Sequence, residues 1–349
     1  MGLKVALTYN LKRKTDNTGL PDDFYSEFDS KETIKAIADG LRAGGKEVFL
    51  VEADKGLLNW FQNNKADIVF NIAEGLNGES RESQVPAILD FLGIPYTGSG
   101  ILALSVSLNK TLTKKLFGQA GIPTPKYRLI TDPSEVSDEG LMYPLITKPN
   151  SEGSGKGITM ASVVRNRAEL IREVEKTARV YQQQILVEEF IDGKELTVGI
   201  LGNYPPTAMP VLEIDFSNCK ASGEFFYTWK VKEFEKEVEE SRGLSPNWHC
   251  PARLSRAEEK LVKETALKAF HTIGCVDLSR VDIMLGKDGV PYVLEVNPLP
   301  GLDPIDSNFP YIAKCAGLNY GDLMNRIVEV ALERHNKSKS LALQERSSR

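Results

Sequence analysis

With 349 residues, of which 41% are hydrophobic and 26% charged, the chain has material for two or three packed domains and is not intrinsically disordered. A net charge of -5, mixed along the sequence, excludes a nucleic-acid protein built on a basic face. Cys219, Cys250, Cys275 and Cys315 lack C-x-x-C spacing and only three histidines exist, so neither a zinc site nor a disulfide framework is implied, and no apolar run approaches the ~20 residues a membrane span needs.

The opening KVALTYN is β-rich and follows no cleavable signal, so a cytoplasmic protein with no membrane and no nucleic-acid partner is expected. SKETIKAIADGLRAGG carries Ile34, Ile37 and Leu41 at helical spacing, EVFLVEA is a strand, and ADIVFNIAEG is a strand ending in a Gly-containing loop. The helical SQVPAILDFLG and a short IPYTGSG follow. This βαβαβ order predicts an α/β domain with a parallel sheet over 1–105. Ligands gather at the carboxyl ends of such strands, beside the loops Tyr9 to Glu27 and Asn71 to Arg81.

A helix at SLNKTLTKKLFGQAG, stopped by Gly121 and Pro123, begins a small central α+β unit over 106–187. Its strands are KYRLI, PLITKP and ILVEEFI, with a Gly-rich loop SEGSGKGI and a helix around RNRAELIREVEKTARVYQQ. A larger domain with an antiparallel sheet is expected over 188–335: strands ELTVGIL and AMPVLEI, a polar stretch from Asn218 to His249, a helix at SRAEEKLVKETALKAFHTIG, a hairpin, and a helix near GDLMNRIVEVALERH. Trp229, Trp248 and the aromatic run at 225–227 read as core or loop anchors. The polar tail 336–349 is expected to be disordered.

Four segments could carry chemistry. In VDIMLGKDGVPYVLEVNPLPG, the joint Gly286-Lys287-Asp288-Gly289 predicts a hairpin that brings Arg280 and Asp282 beside Glu295 and Asn297. The two carboxylates and the Asn297 amide oxygen make an all-oxygen set that suits Mg²⁺ bound partly through substrate phosphates, with the adjacent Arg280 able to stabilise an anion; a solvated face with a local ion pair is the competing reading. In PLITKPNSEGSGKGI, Lys148 ends a strand before a loop whose glycines let backbone NH groups approach an anion, with Ser154 adding a hydroxyl; a flexible surface turn is the alternative. ILVEEFIDGKELTVGIL reads as strand, turn and strand with Glu188 and Glu195 seven residues apart, either accepting from a nucleotide or simply solvated. Lys110, at a helix start, could reach an anion or be a solvated lysine.

Taken in order, these segments resemble the ATP-grasp superfamily and, within it, the D-alanine-D-alanine ligase family, from the first strand to about His335. The matching residues are YTGSG at 96–100, NK and TK at 109–114, KPNSEGSGKG at 148–157, Glu188 with Glu195, CPARL at 250–254, 274–301, and the A-G-L near 316. The resemblance implies an ATP-grasp fold and an ATP-dependent ligase that forms D-alanyl-D-alanine through an acyl phosphate for peptidoglycan synthesis, as a homodimer. It implies ATP contacts from Glu188 (adenine amine), Glu195 (ribose) and Lys110, Lys148 and Lys232 (phosphates). Asp282, Glu295 and Asn297 would hold two Mg²⁺ ions, with Mn²⁺ as a substitute. Arg280 and the Gly301 NH resemble the oxyanion-stabilising pair, Glu27 the acid for the first amino acid's ammonium, and Ser307 the group meeting the second substrate's carboxylate. The stretch from Asn218 to His249 resembles a loop that closes over the site.

Three positions depart from the family pattern. Glu74-Gly75 stands where His-Gly is common, Ser154-Gly155 where two serines are common, and Lys232-Glu233 where Lys-Tyr is common. All lie toward the amino-acid side, leaving open a ligase of another amino acid or hydroxy acid pair. A nucleotide-binding protein that has lost ligase chemistry is the reading from another class. Retention of Arg280 beside Asp282, Glu295 and Asn297 speaks against it.

Overall fold

The computed structural model describes residues 2–13, 21–217, 219 and 246–347. Three sheets organise the chain. In the first unit, β1 (Lys4–Tyr9), β2 (Glu47–Glu52) and β3 (Ile68–Asn71) form a parallel sheet in the order β2-β1-β3. Both faces of β1 are buried, as parallel sheets require. Val5 and Leu7 pack with Ile34, Ile37 and Leu41 of α1 (Lys31–Ala43), while Ala6 and Val69 pack against Leu57 and Phe61 of α2 (Leu57–Asn63) and Val85 and Leu89 of α3 (Gln84–Leu92). Ser30 starts α1 by accepting from the Thr33 NH at 3.0 Å.

The helix expected at 107–121 forms from Lys110 and stops at Gly121, and a further helix precedes it. α4 (Ile101–Leu108) ends at Asn109, whose side chain accepts from Leu112 N at 2.9 Å and so caps α5 (Lys110–Ala120). The sequence pattern misses α4 because ILALSVSL is apolar on nearly every side and shows no helical period.

The second unit is a four-stranded antiparallel sheet in the order β4-β7-β5-β6, from β4 (Tyr127–Ile130), β5 (Leu145–Pro149), β6 (Val163–Val164) and β7 (Ile185–Glu189). α6 (Arg167–Tyr181) covers one face through Leu170 and Val174, which meet Leu145, Ile185 and Val187. A division at 187 would cut β7, so the chain leaves this sheet after Glu189.

The third unit holds β8 (Gly193–Leu201), β9 (Thr207–Asp215), β10 (Asn247–His249), β11 (Leu278–Gly286) and β12 (Pro291–Asn297), antiparallel in the order β10-β9-β8-β11-β12. α7 (Arg256–Ile273) packs Val262, Ala266 and Phe270 on one face, and α8 (Asn308–Cys315) packs Phe309 and Ile312 on the other. β7 and β8 pair with different sheets, so the expected strand-turn-strand of Glu188 and Glu195 is a crossing between domains, not a hairpin. The polar stretch from Asn218 ends in β10, while 218 and 220–245 lie outside the described residues, with Trp229 and the run 225–227 among them. Trp248 packs edge-on against Tyr311 at 5.0 Å. α9 (Tyr320–Ser347) runs through most of the tail expected to be disordered. Extending an existing helix needs no new nucleus, and residues 336–347 contain neither Gly nor Pro to stop it.

Candidate active site

The crossing after β7 places two charged faces opposite each other. One cleft between the central and C-terminal sheets is lined by Lys110, Lys148, Glu188, Glu195, Asp282 and Glu295, all expected at a nucleotide or metal site, and by Arg280, expected as an oxyanion donor. Ile146, Ile158, Leu196, Met284 and Leu294 supply its apolar walls.

Inside the cleft each charge has a partner. Glu188, 1% exposed, lies 2.5 Å from the ammonium groups of both Lys114 and Lys148. Burial alone would raise its carboxyl, but the two lysines outweigh that and hold it below its ordinary value. Lys114 is equally buried, and burial pulls its ammonium down to about 8 despite Glu188. The sequence reading did not assign Lys114 a role. Its signal is a lysine four residues after Lys110 on the buried side of an amphipathic helix. Lys110 itself donates to the Glu152 carbonyl at 2.5 Å and sits 3.4 Å from Glu295 Oε2.

The hairpin forms with the expected partners. Arg280 faces Asn297 and Asp282 faces Glu295 across β11 and β12, with a bulge after Asp282. Arg280 donates from Nε and Nη2 to the two Asp282 oxygens at 2.9 and 2.7 Å. Asp282 also accepts from Thr197 Oγ1 at 2.5 Å and from Asn297 Nδ2 at 3.0 Å. The local ion pair weighed as a competing reading therefore exists. Opposed carboxylates repel unless a cation lies between them, and here Arg280 and Lys110 flank the pair. Among the described residues no three His, Cys, Asp or Glu side chains cluster as metal ligands. The oxygens of Asp282, Glu295 and Asn297 still fit a hard divalent ion completed by substrate oxygens.

A second cavity of about 280 Å³ shares Arg280 with the cleft and contains Glu27, Ser154, Asn297, Gly301 and Ser307. The remaining expected site residues thus come together, apart from Lys232, which with Glu233 and the closing loop lies outside the described residues. Ser154 takes a left-handed backbone, φ 49°, with Gly155 and Gly157 following at φ 71° and 75°, which folds the loop onto itself. A β-carbon on Gly301 would sit 2.8 Å from Ser307 Oγ, so the Ser307 hydroxyl would have to turn away from its present place. Ser307 Oγ accepts from Asp303 N at 3.0 Å.

Glu27 lines this cavity but is held by the protein. Arg81 Nη2 donates to both of its oxygens at 2.8 Å, Gly153 N donates at 2.7 Å, and Lys156 stands 3.5 Å away. Arg81 and Lys156 overcome burial and keep the carboxyl below its ordinary value. Arg81 also donates to the Ser151 carbonyl and to Glu152, clamping the N-terminal domain onto the glycine-rich loop. The sequence reading marked the segment ending at Arg81 as near a site without giving Arg81 a role.

The profile of a family described as D-ala D-ala ligase C-terminus matches residues 116–329. The chain belongs to the D-alanine-D-alanine ligase family. A D-alanine-D-alanine ligase of Desulforamulus reducens is 35% identical over 311 residues, covering 86% of this chain and 92% of that protein. The uncharacterized protein y4sG of Sinorhizobium fredii is 33% identical over 308 residues, covering 86% and 87%. A crystal structure titled as the D-alanine-D-alanine ligase of Bacillus anthracis complexed with ATP superposes with a TM-score of 0.74 at 24% identity, covering 96% of this chain and 99% of that one. This ligase family's fold is thus the ATP-grasp arrangement expected from the sequence.

Proposed function

We propose that this chain is an ATP-dependent carboxylate-amine ligase that joins two D-alanines through an acyl phosphate, serving peptidoglycan precursor synthesis in the cytoplasm, as a homodimer. The observation that carries this is the meeting at Arg280 of two cavities, one lined by lysines and carboxylates for a nucleotide, the other by Ser154, Gly301 and Ser307 for amino acids.

A carboxylate is a poor electrophile and must be activated. In the cleft, the apolar walls suit a purine, Glu195 the ribose, and Lys110 and Lys148 the phosphates, while Glu188, set between Lys114 and Lys148 where the adenine amine was expected, reaches that amine only if one lysine yields its place. Asp282, Glu295 and Asn297 would hold two Mg²⁺ ions, which supply charge neutralisation on the phosphate oxygens when bound. The carboxylate of the first amino acid attacks the γ-phosphorus, the bond to ADP breaks, and an acyl phosphate forms. The amine of the second then attacks the carbonyl carbon, phosphate leaves with the bonding pair, and the amine proton departs with it. Between these events the carbonyl oxygen carries negative charge, which Arg280 and the Gly301 NH stabilise as donors. Ser307 receives the second carboxylate. Among the described residues no helix is long and apolar enough to cross a membrane.

The test is ADP and phosphate release from ATP with Mg²⁺ and D-alanine, with the product weighed by mass spectrometry. A dipeptide mass with one ADP per bond is expected. Nucleotide binding without release for any amino acid would instead establish a binding protein.

A further inference from the structure

The amino-acid cavity carries more carboxyl groups than two alanines use. Glu27 is already saturated by Arg81, Gly153 and Lys156. Glu74 and Asp29 are not. Both line the cavity, and neither side chain makes a hydrogen bond or ion pair among the described residues. Their carboxyl groups lie deep in the protein, while both residues keep some accessible surface, which is that of the cavity. Glu82, whose charge also acts on Glu74, is only 9% exposed and equally without a side-chain partner; the cations whose charge reaches the pair are Arg81, already held by Glu27 and Glu152, and Lys12, which lines the same cavity without a hydrogen bond or ion pair to either carboxyl.

Unpaired carboxyls at this depth are costly. Burial, reinforced by Glu82, Glu27 and Asp29, lifts Glu74 well above the ordinary range, and burial with Asp303 lifts Asp29 to about 7 against the opposing charge of Lys12. A ligand cation would remove that cost. Alanine brings one ammonium, and two such carboxylates have capacity for another.

We propose that Glu74 and Asp29 form a cation subsite in the amino-acid cavity, and that the ligase accepts there an amino acid whose side chain carries an ammonium or guanidinium group. This rests on the ligase reading above. The amide bond made is the same, and the side-chain cation takes no part in the chemistry. Glu74 and Asp29 act as specificity residues.

The experiment compares lysine and ornithine with the uncharged norleucine, as D and L forms, each alone and paired with D-alanine, by ADP release and product mass. The expected kcat/KM for a basic amino acid exceeds that for norleucine by about tenfold or more, the scale of one charge-assisted contact. Glu74→Gln and Asp29→Asn should each shrink that ratio through KM, with ATP affinity and the melting temperature checked alongside. If a variant fails to fold, the comparison in the unaltered enzyme still decides. Equal use of norleucine and lysine, turnover with D-alanine alone while basic amino acids are refused, or a ratio unmoved in well-folded variants overturns the subsite and leaves the ligase reading intact. ATP binding with no turnover for any amino acid overturns both.

Discussion

Replacing Arg280 with alanine separates catalysis from architecture. Arg280 is 13% exposed and makes two hydrogen bonds to Asp282. Without it Asp282 still accepts from Thr197 at 2.5 Å and Asn297 at 3.0 Å, so the carboxylate is not orphaned. The stability cost should then stay near that of a charged hydrogen bond, about 1.5–3 kcal/mol. In the proposed role the reaction loses more, because the cationic donor at the junction of the two cavities would serve the developing oxyanion. Loss of such a donor costs about 2.7–4 kcal/mol, or roughly two to three orders of magnitude in kcat. Steady-state ADP release with D-alanine gives kcat, nucleotide titration gives ATP affinity, and a thermal melt reports folding. A variant with unchanged kcat and weakened ATP binding would refute the assignment, as would full activity.

Other outcomes follow from the same geometry. Glu295→Gln should lose turnover by several kcal/mol through reduced metal charge, and near-normal rates at saturating Mg²⁺ would disprove that role. Glu188→Gln leaves Lys114 and Lys148 buried without their counter-charge, so urea denaturation should show a loss of about 3–5 kcal/mol; a loss under about 1 kcal/mol would mean the lysines find other partners. Burial and the nearby Asp303 charge push the Asp29 carboxyl up to about 7 in the folded chain, against about 3.9 for an ordinary aspartate, so between these values only the folded chain holds the proton and stability falls as pH rises. The decline is at most about 4 kcal/mol, and Asp29→Asn should abolish it and stabilise the protein above about pH 7. Parallel melting curves for both proteins across that range would contradict the buried carboxyl.

The sequence exposes those parts of the fold whose local pattern agrees with their surroundings. Val5 and Leu7 alternate with Ala6 because β1 is buried on both faces, and α7 announces itself through Ser255 and Glu258, which form a capping box. It hides the parts set by long-range packing. α4 has no period to read because its residues are apolar on nearly every side, solvent-facing Ile101 and Leu102 included, and α8 is a short helix whose apolar residues matter only against β8, β9 and α9. The strand, turn and strand at β7 and β8 are legible, but two strands with a DG between them look alike whether they pair with each other or with different sheets. Strand pairing is a tertiary decision.

For the site, the same distinction falls between groups that meet the ligand and groups that meet each other. Arg280, Asp282, Glu295 and Asn297 were legible because a two-residue period puts them on one hairpin face, and the register confirms it. Glu27 was legible as a site acid, but its partner Arg81 lies 54 residues away and cannot be paired with it from spacing. That ion pair changes what Glu27 can do: a carboxylate with both oxygens on a guanidinium and a backbone NH has little capacity for a substrate ammonium. Its charge is spent on joining the N-terminal domain to the glycine-rich loop. The duty of facing a cation then falls to whichever acids in the same cavity the protein leaves unpaired, and these are Glu74, a departure from the family pattern, and Asp29. Glu74, which looks like drift in the sequence, acquires a physical consequence once Arg81 is in place, because both residues act on one charge balance.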